Sequence, residues 1–229
     1  MGWKMIYLAR RNPALAPEQF PQAWREHSAL GAGCTNVRDK VLSVTQCSRV
    51  LDGPPLPGAS SDYDGVNLLA LRDLQAATDI WNDAETLAIM RPDEPRVFST
   101  YVREFSLVCE ERVLRDAPRG SCCVVGFLRR RSGLSRDAFQ RAWAAGAAGE
   151  LKAATLPEAV RVVHNDVHLE PPPGYDFDGI AEWWFESPEK VRQAVGQDDL
   201  RRTLSAGLAE SADGDRSVFM FTRVTHSRP

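Results

Sequence analysis

His27 is the residue of this chain best placed to move a proton. It lies in Trp24-Arg25-Glu26-His27-Ser28-Ala29-Leu30, three positions after Trp24, so on a helix both side chains share roughly one face. A face that carries a tryptophan points inward. An inward imidazole titrates near neutrality and serves as general acid or base. The position equally suits a histidine closing the end of its own helix, where positive charge is favoured. Tyr7 and Asn67 could offer hydrogen bonds to a ligand oxygen, or be satisfied polar groups of a core. Trp24 and Trp81 could shape a cavity or simply fill one. Glu182 sits mid-strand in Ile180-Ala181-Glu182-Trp183-Trp184-Phe185, where a carboxylate needs a partner or a raised pKa. It is read either as a catalytic group or as half of a buried pair with an arginine.

Other patterns carry less. In His164-Asn165-Asp166-Val167-His168 the two imidazoles of a strand stand about 13 Å apart, too far for one zinc, and no metal site is expected. Gly31-Ala32-Gly33 lacks the glycine spacing of a phosphate loop. No Ser-His-Asp order and no nucleophile elbow occurs. The 5 cysteines, Cys122 and Cys123 adjacent, form no disulfide framework and no Cys-x-x-Cys pair.

A net charge of -3, with neither a basic stripe nor an acidic block, argues against nucleic acid as partner. The apolar stretch from Cys122 to Leu128 is far short of the about 20 residues that cross a bilayer. The first eight residues lack the marks of a secretory signal, and Ile6 stands where N-myristoylation wants Ser or Thr. A reducing cytoplasm is the expected compartment.

The elements that must position these residues come in two copies. Leu8-Ala9-Arg10-Arg11-Asn12-Pro13-Ala14-Leu15 is echoed by Phe127-Leu128-Arg129-Arg130-Arg131-Ser132-Gly133-Leu134, and Phe20 and Trp24 by Phe139 and Trp143, 119 residues later. Asp62-Tyr63-Asp64-Gly65-Val66 is answered by Asp176-Phe177-Asp178-Gly179-Ile180 at an offset of 114. The longer loop Asp52–Ser61 of the first copy accounts for the difference.

In the first copy, periodicity and turn residues predict strands at Trp3–Leu8, Val41–Val50, Val66–Leu71 and Tyr101–Val108. Helices are predicted at Pro17–Leu30, ended by Gly31 and Gly33, and at Leu74–Met90, with Ile80, Trp81, Leu87 and Met90 on the apolar side. The second copy repeats the order with strands at Cys122–Leu128, Val160–His168, Ile180–Phe185 and Ser217–Val224, and helices at Ser135–Ala148 and Pro188–Leu208. Each is a βαββαβ, ferredoxin-like unit. Arg112–Gly120 reads as linker, dividing the chain into 1–115 and 116–229.

Val66–Leu71 and Ile180–Phe185 are apolar on both faces, apart from Asn67 and Glu182. A sheet with one wet face would alternate, so both faces are covered. Helices cover one face and the other copy's sheet the second, which makes the fold class α+β, two tandem units closed into one pseudo-dimeric barrel.

Arg10-Arg11 with Leu15, then Phe20, Trp24 and His27, and later Asp178-Gly179-Ile180-Ala181-Glu182-Trp183-Trp184-Phe185 resemble the EthD family of the dimeric α+β barrel superfamily, once per half of the chain. The resemblance implies ferredoxin-like units whose sheets pack back to back, usually as homodimers; here one chain supplies both units, and further homodimerisation stays open. It places the family's histidine at His27 and its Asp-Gly-x-x-Glu motif at Asp178, Gly179 and Glu182, a possible second-copy site. Gly146 stands at the histidine position of the second copy and Leu68 at the glutamate position of the first.

Members of that superfamily include cofactor-free lactone isomerases, polyketide cyclases and dehydratases, and haem-degrading monooxygenases. The expectation is a cofactor-independent lyase, isomerase or cyclase acting on a small hydrophobic oxygenated ligand such as a polyketide, lactone or aromatic catabolite. In it His27 moves the proton, Tyr7 and Asn67 orient an oxygen, and Trp24 and Trp81 line the cavity. The alternatives are a binding protein without chemistry and, third, a haem protein. The first copy is expected to keep the working cavity.

Overall fold

The two apolar periodicities, alternating in strands and helical between them, fold into the same series twice. The computed structural model describes residues 2–148, 156, 158–196, 199–200 and 211–229. The first series is β1 (Gly2–Ala9), α1 (Phe20–Gly33), α2 (Thr35–Lys40), β2 (Val41–Arg49), β3 (Gly65–Leu71), α3 (Leu74–Asp79), a π-helical turn (Thr86–Met90), α4 (Arg91–Val97) and β4 (Ser106–Arg115). The second is β5 (Cys122–Arg130), α5 (Arg136–Ala148), β6 (Arg161–Val167), β7 (Gly179–Phe185), α6 (Pro188–Val195) and β8 (Ala212–Arg228). Among the described residues no helix is long and apolar enough to cross a membrane.

All strand pairs are antiparallel, and the sheet closes on itself in the order β1-β3-β2-β8-β5-β7-β6-β4. Each copy contributes its strands in the same sequence, fourth, first, third, second. The two seams therefore join the second strand of one copy to the fourth of the other, β2 to β8 and β6 to β4. Closure removes every sheet edge.

Because side chains alternate along a strand, each strand sends one set inward and one outward. Ile6, Leu8, Cys47, Val66, Leu68, Leu107, Cys109, Cys123, Val125, Phe127, Val167, Ile180, Trp184 and Met220 form a single core drawn from all eight strands, the barrel interior. The opposite faces are covered by each copy's own helices, around Phe20, Trp24 and Phe98 in the first and around Phe139, Trp143 and Phe185 in the second. This is the pseudo-dimeric α+β barrel the doubly apolar strands imply.

The repeated Asp-Gly pair has a structural reason in both copies. A Cβ on Gly65 would stand 2.5 Å from the Trp24 ring and 2.9 Å from the Cys47 carbonyl oxygen, and one on Gly179 would collide with Trp143. The preceding aspartates are clamps: Asp64 accepts from the Arg11 backbone N–H (3.0 Å) and guanidinium (2.9 Å), and Asp178 from the backbone N–H and guanidinium of Arg130.

Several expectations change. The first helix starts at Phe20 rather than Pro17 and runs through Gly31 to Gly33. The helix expected over Leu74–Met90 breaks after Asp79: Asp83 turns back to Lys40 at 2.7 Å, and Leu87 is exposed. The strand expected from Tyr101 starts at Ser106 after a 3-10 turn over Val102–Glu104, because Glu94 captures the Val102 N–H at 2.9 Å. The stretch read as linker continues β4 as far as Arg115, held by pairing with β6. The helix expected to reach Leu208 is seen over Pro188–Val195, and 201–210 lie outside the described residues.

Candidate active site

Helix α1 opens on Phe20-Pro21, proline being well suited to a first turn, and buries Phe20, Ala23, Trp24, His27, Ser28 and Gly31. That stripe, spaced three and four apart, faces the sheet. His27 is thus inward, 6% exposed, and six residues before the helix ends, so it does not close the terminus. Its ring meets Phe98 edge-on at 5.5 Å.

The imidazole is anchored by a residue that sequence reasoning passed over. His27 Nδ1 lies 2.8 Å from Asp93 Oδ2, and Asp93 is held in turn by Arg96, with Nε at 2.7 Å from Oδ1 and Nη2 at 3.2 Å from Oδ2. Burial pushes the Asp93 carboxyl up, but the bonds from Arg96 and His27 more than offset it and hold it below the usual range. Burial pushes the imidazole below its usual value, Arg96 adding to this and Asp93 opposing it. At neutral pH the geometry is a neutral ring that donates from Nδ1 to an ionised carboxylate, leaving the Nε2 lone pair free to accept a proton.

Beside it, between the helices and the outward face of β1–β3, lies a cavity of about 60 Å³ lined by Tyr7, Trp24, His27, Gln46, Asn67, Trp81 and Glu94 among others. Tyr7, Asn67 and Gln46 stand side by side because they are register partners on β1, β3 and β2. Burial, reinforced by Glu94, raises the Tyr7 hydroxyl far above its usual value, so it remains a donor. Gln46 Nε2 donates to the Trp24 carbonyl at 3.4 Å. The oxygens Gln46 Oε1 and Asn67 Oδ1 are buried with no partner among the described residues, two acceptors at the cavity wall. Trp81 and Met90 are half-buried wall residues.

The structure thus brings Tyr7, Trp24, His27, Asn67 and Trp81 to one cavity. Gln46 and Glu94 line it too, and Asp93 holds His27 from behind, all three unannounced. The signal for the last two was Arg91-Pro92-Asp93-Glu94-Pro95-Arg96, where Pro92 marks a fresh helix start.

Register gives the corresponding positions in the second copy: Gly126 for Tyr7, Ala181 for Asn67 and His164 for Gln46. A Cβ on Gly126 would meet Phe219 at 3.0 Å and Trp183 at 3.2 Å. His164 stacks on Trp143 at 4.1 Å, and burial, with Arg112 adding to it, pushes its pKa down to about 3. Rings fill what is polar wall in the first copy.

Asp178 and Glu182 do not assemble a second site. Asp178 is the Arg130 clamp. Glu182 points into the barrel interior, where its partner is a lysine rather than an arginine: Lys4 Nζ at 2.6 Å, with Asn165 Nδ2 at 2.8 Å and Trp184 Nε1 at 2.9 Å. Burial raises its pKa, and the Lys4 charge and three hydrogen bonds bring it below the ordinary value. His168 packs edge-on against Trp3 at 4.9 Å, apart from His164, and among the described residues no three side chains group as metal ligands.

The profile of the EthD domain matches residues 12–100 and again 131–215. No curated protein matches the sequence. Among solved structures, an anthrone oxidase-like protein superposes with a TM-score of 0.67 at 14% identity, over 99% of this chain and 92% of the other. A proposed monooxygenase from Lactobacillus acidophilus NCFM gives 0.53 at 7% identity, over 99% and 94%. A chlorite dismutase variant from Candidatus Nitrospira defluvii gives 0.51 at 15%, over 98% and 92%. At these identities the likeness is one of fold.

Proposed function

The chain belongs to the EthD family, and on that premise we propose that it is an enzyme that binds a small, largely apolar, oxygen-bearing metabolite in the first copy's cavity and moves a proton with His27. The observation that carries this reading is the buried imidazole tied through Nδ1 to Asp93 at 2.8 Å beside a cavity. A base of this kind takes a proton from carbon next to a carbonyl, the step shared by lyases, isomerases and cyclases that use no cofactor. Tyr7 donates to the substrate oxygen, while Gln46 and Asn67 accept from its hydroxyl groups.

The cavity is small, about 60 Å³, and the half-buried Met90 and Trp81 at its wall are the side chains that a ring-sized substrate displaces on entry. A storage role without chemistry fits less well, since a store has no use for a carboxylate-anchored imidazole and buried unpaired oxygens. The oxidase and monooxygenase names of two structural neighbours motivate a second reading: the carbanion left after His27 takes its proton reacts with dioxygen.

The test is turnover of a panel of polyketides, lactones and hydroxylated aromatics, with oxygen uptake followed in parallel. Loss of turnover in His27→Gln supports the assignment; unchanged rates remove it. Oxygen consumption coupled to turnover selects the second reading.

A further inference from the structure

We propose that Glu94 is the second proton carrier of this cavity, a carboxylic acid that protonates the substrate oxygen while His27 removes the carbon-bound proton. The proposal rests on the reading of the His27 cavity as the active site. Helix α4 places Asp93 and Glu94 in succession, about 100° apart around its axis. Asp93 turns to α1 and anchors His27; Glu94, 2% exposed, turns inward and lines the same cavity as His27 and Tyr7. Its two oxygens are not equivalent. Oε2 accepts the Val102 N–H at 2.9 Å and lies 3.8 Å from Arg91 Nε, whereas among the described residues nothing bonds Oε1. A buried carboxyl with one oxygen fixed and the other unclaimed at a cavity is arranged to hold a proton and give it up.

Burial raises the Glu94 pKa, and Glu104 adds to this against the Val102 N–H, Arg91 and Arg103. Lining the same cavity with it are Tyr7 from β1, His27 from α1 and the Arg228 guanidinium from the end of β8. The environments push the imidazole down and this carboxyl up, the pattern of an acid and base working at one pH. In the step, the C–H bond next to a substrate carbonyl breaks to His27 Nε2 and its electron pair becomes the C=C bond. The carbonyl π pair takes the Glu94 proton, and an enol forms. Return of the imidazolium proton to the same carbon gives exchange there. Where a C=C is conjugated with the enol, its return to the far carbon of the resulting dienol, with the enol O–H proton going back to Glu94 as the carbonyl re-forms, moves the double bond; either course regenerates both groups and needs no co-reactant.

The experiment is hydrogen–deuterium exchange at the carbon beside the carbonyl in enolisable ring ketones and lactones, 2-tetralone and 2-coumaranone among them, followed by NMR in D2O across pH. Glu94→Gln keeps an acceptor for the Val102 N–H and has no acidic proton; Glu94→Asp keeps the acid with a shorter reach. The expected result is exchange catalysed by the native protein and slowed about 100-fold or more in Glu94→Gln. The fall in rate at high pH, which reports loss of the acid's proton, disappears in Glu94→Gln and persists in Glu94→Asp. Native rates with that fall intact in Glu94→Gln, while His27→Gln is slow, overturn the proposal and leave the His27 reading standing. No catalysed exchange with any probe, or exchange indifferent to His27→Gln, overturns both.

Discussion

The ring of Trp24 occupies the space where Gly65 has no side chain, 2.5 Å from where its Cβ would be. Trp24 is 1% exposed and carries the helix that presents His27, so this contact sets the height of α1 above the sheet. Gly65→Ala would press the ring outward and meet the Cys47 carbonyl at 2.9 Å, backbone that cannot yield. We expect a loss of about 1–3 kcal/mol, read by urea denaturation, with His27 displaced from Asp93.

Proton transfer by His27 requires the neutral ring, and its pKa lies below the usual 6.5. The acid limb of the activity profile, where the ring gains its proton, should therefore lie below pH 6.5, separate from the high-pH fall that loss of the Glu94 proton brings. His27→Gln should lower kcat by about 100- to 10,000-fold. Asp93→Asn, which leaves an acceptor but no charge for Nδ1–H, should fall between the two and raise the chance of the wrong tautomer. Pre-steady-state and steady-state rates over pH check both.

Lys4 and Glu182 bridge the barrel interior, with Lys4 also paired to Glu111. Lys4→Met leaves the Glu182 carboxylate buried without its cation and should cost about 3–5 kcal/mol, whereas Glu182→Leu leaves Lys4 its pairing with Glu111 and should cost less. The double variant should recover part of that loss, measured by a double-mutant cycle in urea. The Glu182 pKa is lower in the folded than in the unfolded chain. Its contribution is therefore complete above the unfolded carboxyl value and is lost as pH falls through the folded one.

His164 gives the opposite kind of group a similar acid sensitivity. Its folded pKa of about 3 lies below the usual 6.5, so the unfolded chain binds its proton first. Stability falls as pH drops from 6.5 toward about 3, by up to about 1.4 kcal/mol per pH unit. His164→Gln, which installs the residue of the equivalent position in the first copy, should make the acid side of the stability profile shallower than in the native protein.

Much of this architecture is written locally. The echo of Phe20 and Trp24 in Phe139 and Trp143, with the Asp-Gly pairs behind them, identifies the duplication. The spacing from Phe20 to Gly31 determines that His27 faces the sheet, because helix geometry alone decides which side chains share a stripe. Two strands without a polar face determine that the sheets are covered on both sides.

Which strands meet at the seams was decided only by the folded chain, since β2 pairs equally well, by its own pattern, with any apolar strand of matching register. Asp93 reaches His27 across 66 residues and Lys4 reaches Glu182 across 178. No periodicity encodes such pairs. Hydrophobic patterning fixes what is buried, but the partner of a buried charge is chosen by the three-dimensional closure of the barrel, where the cost of leaving it alone is felt.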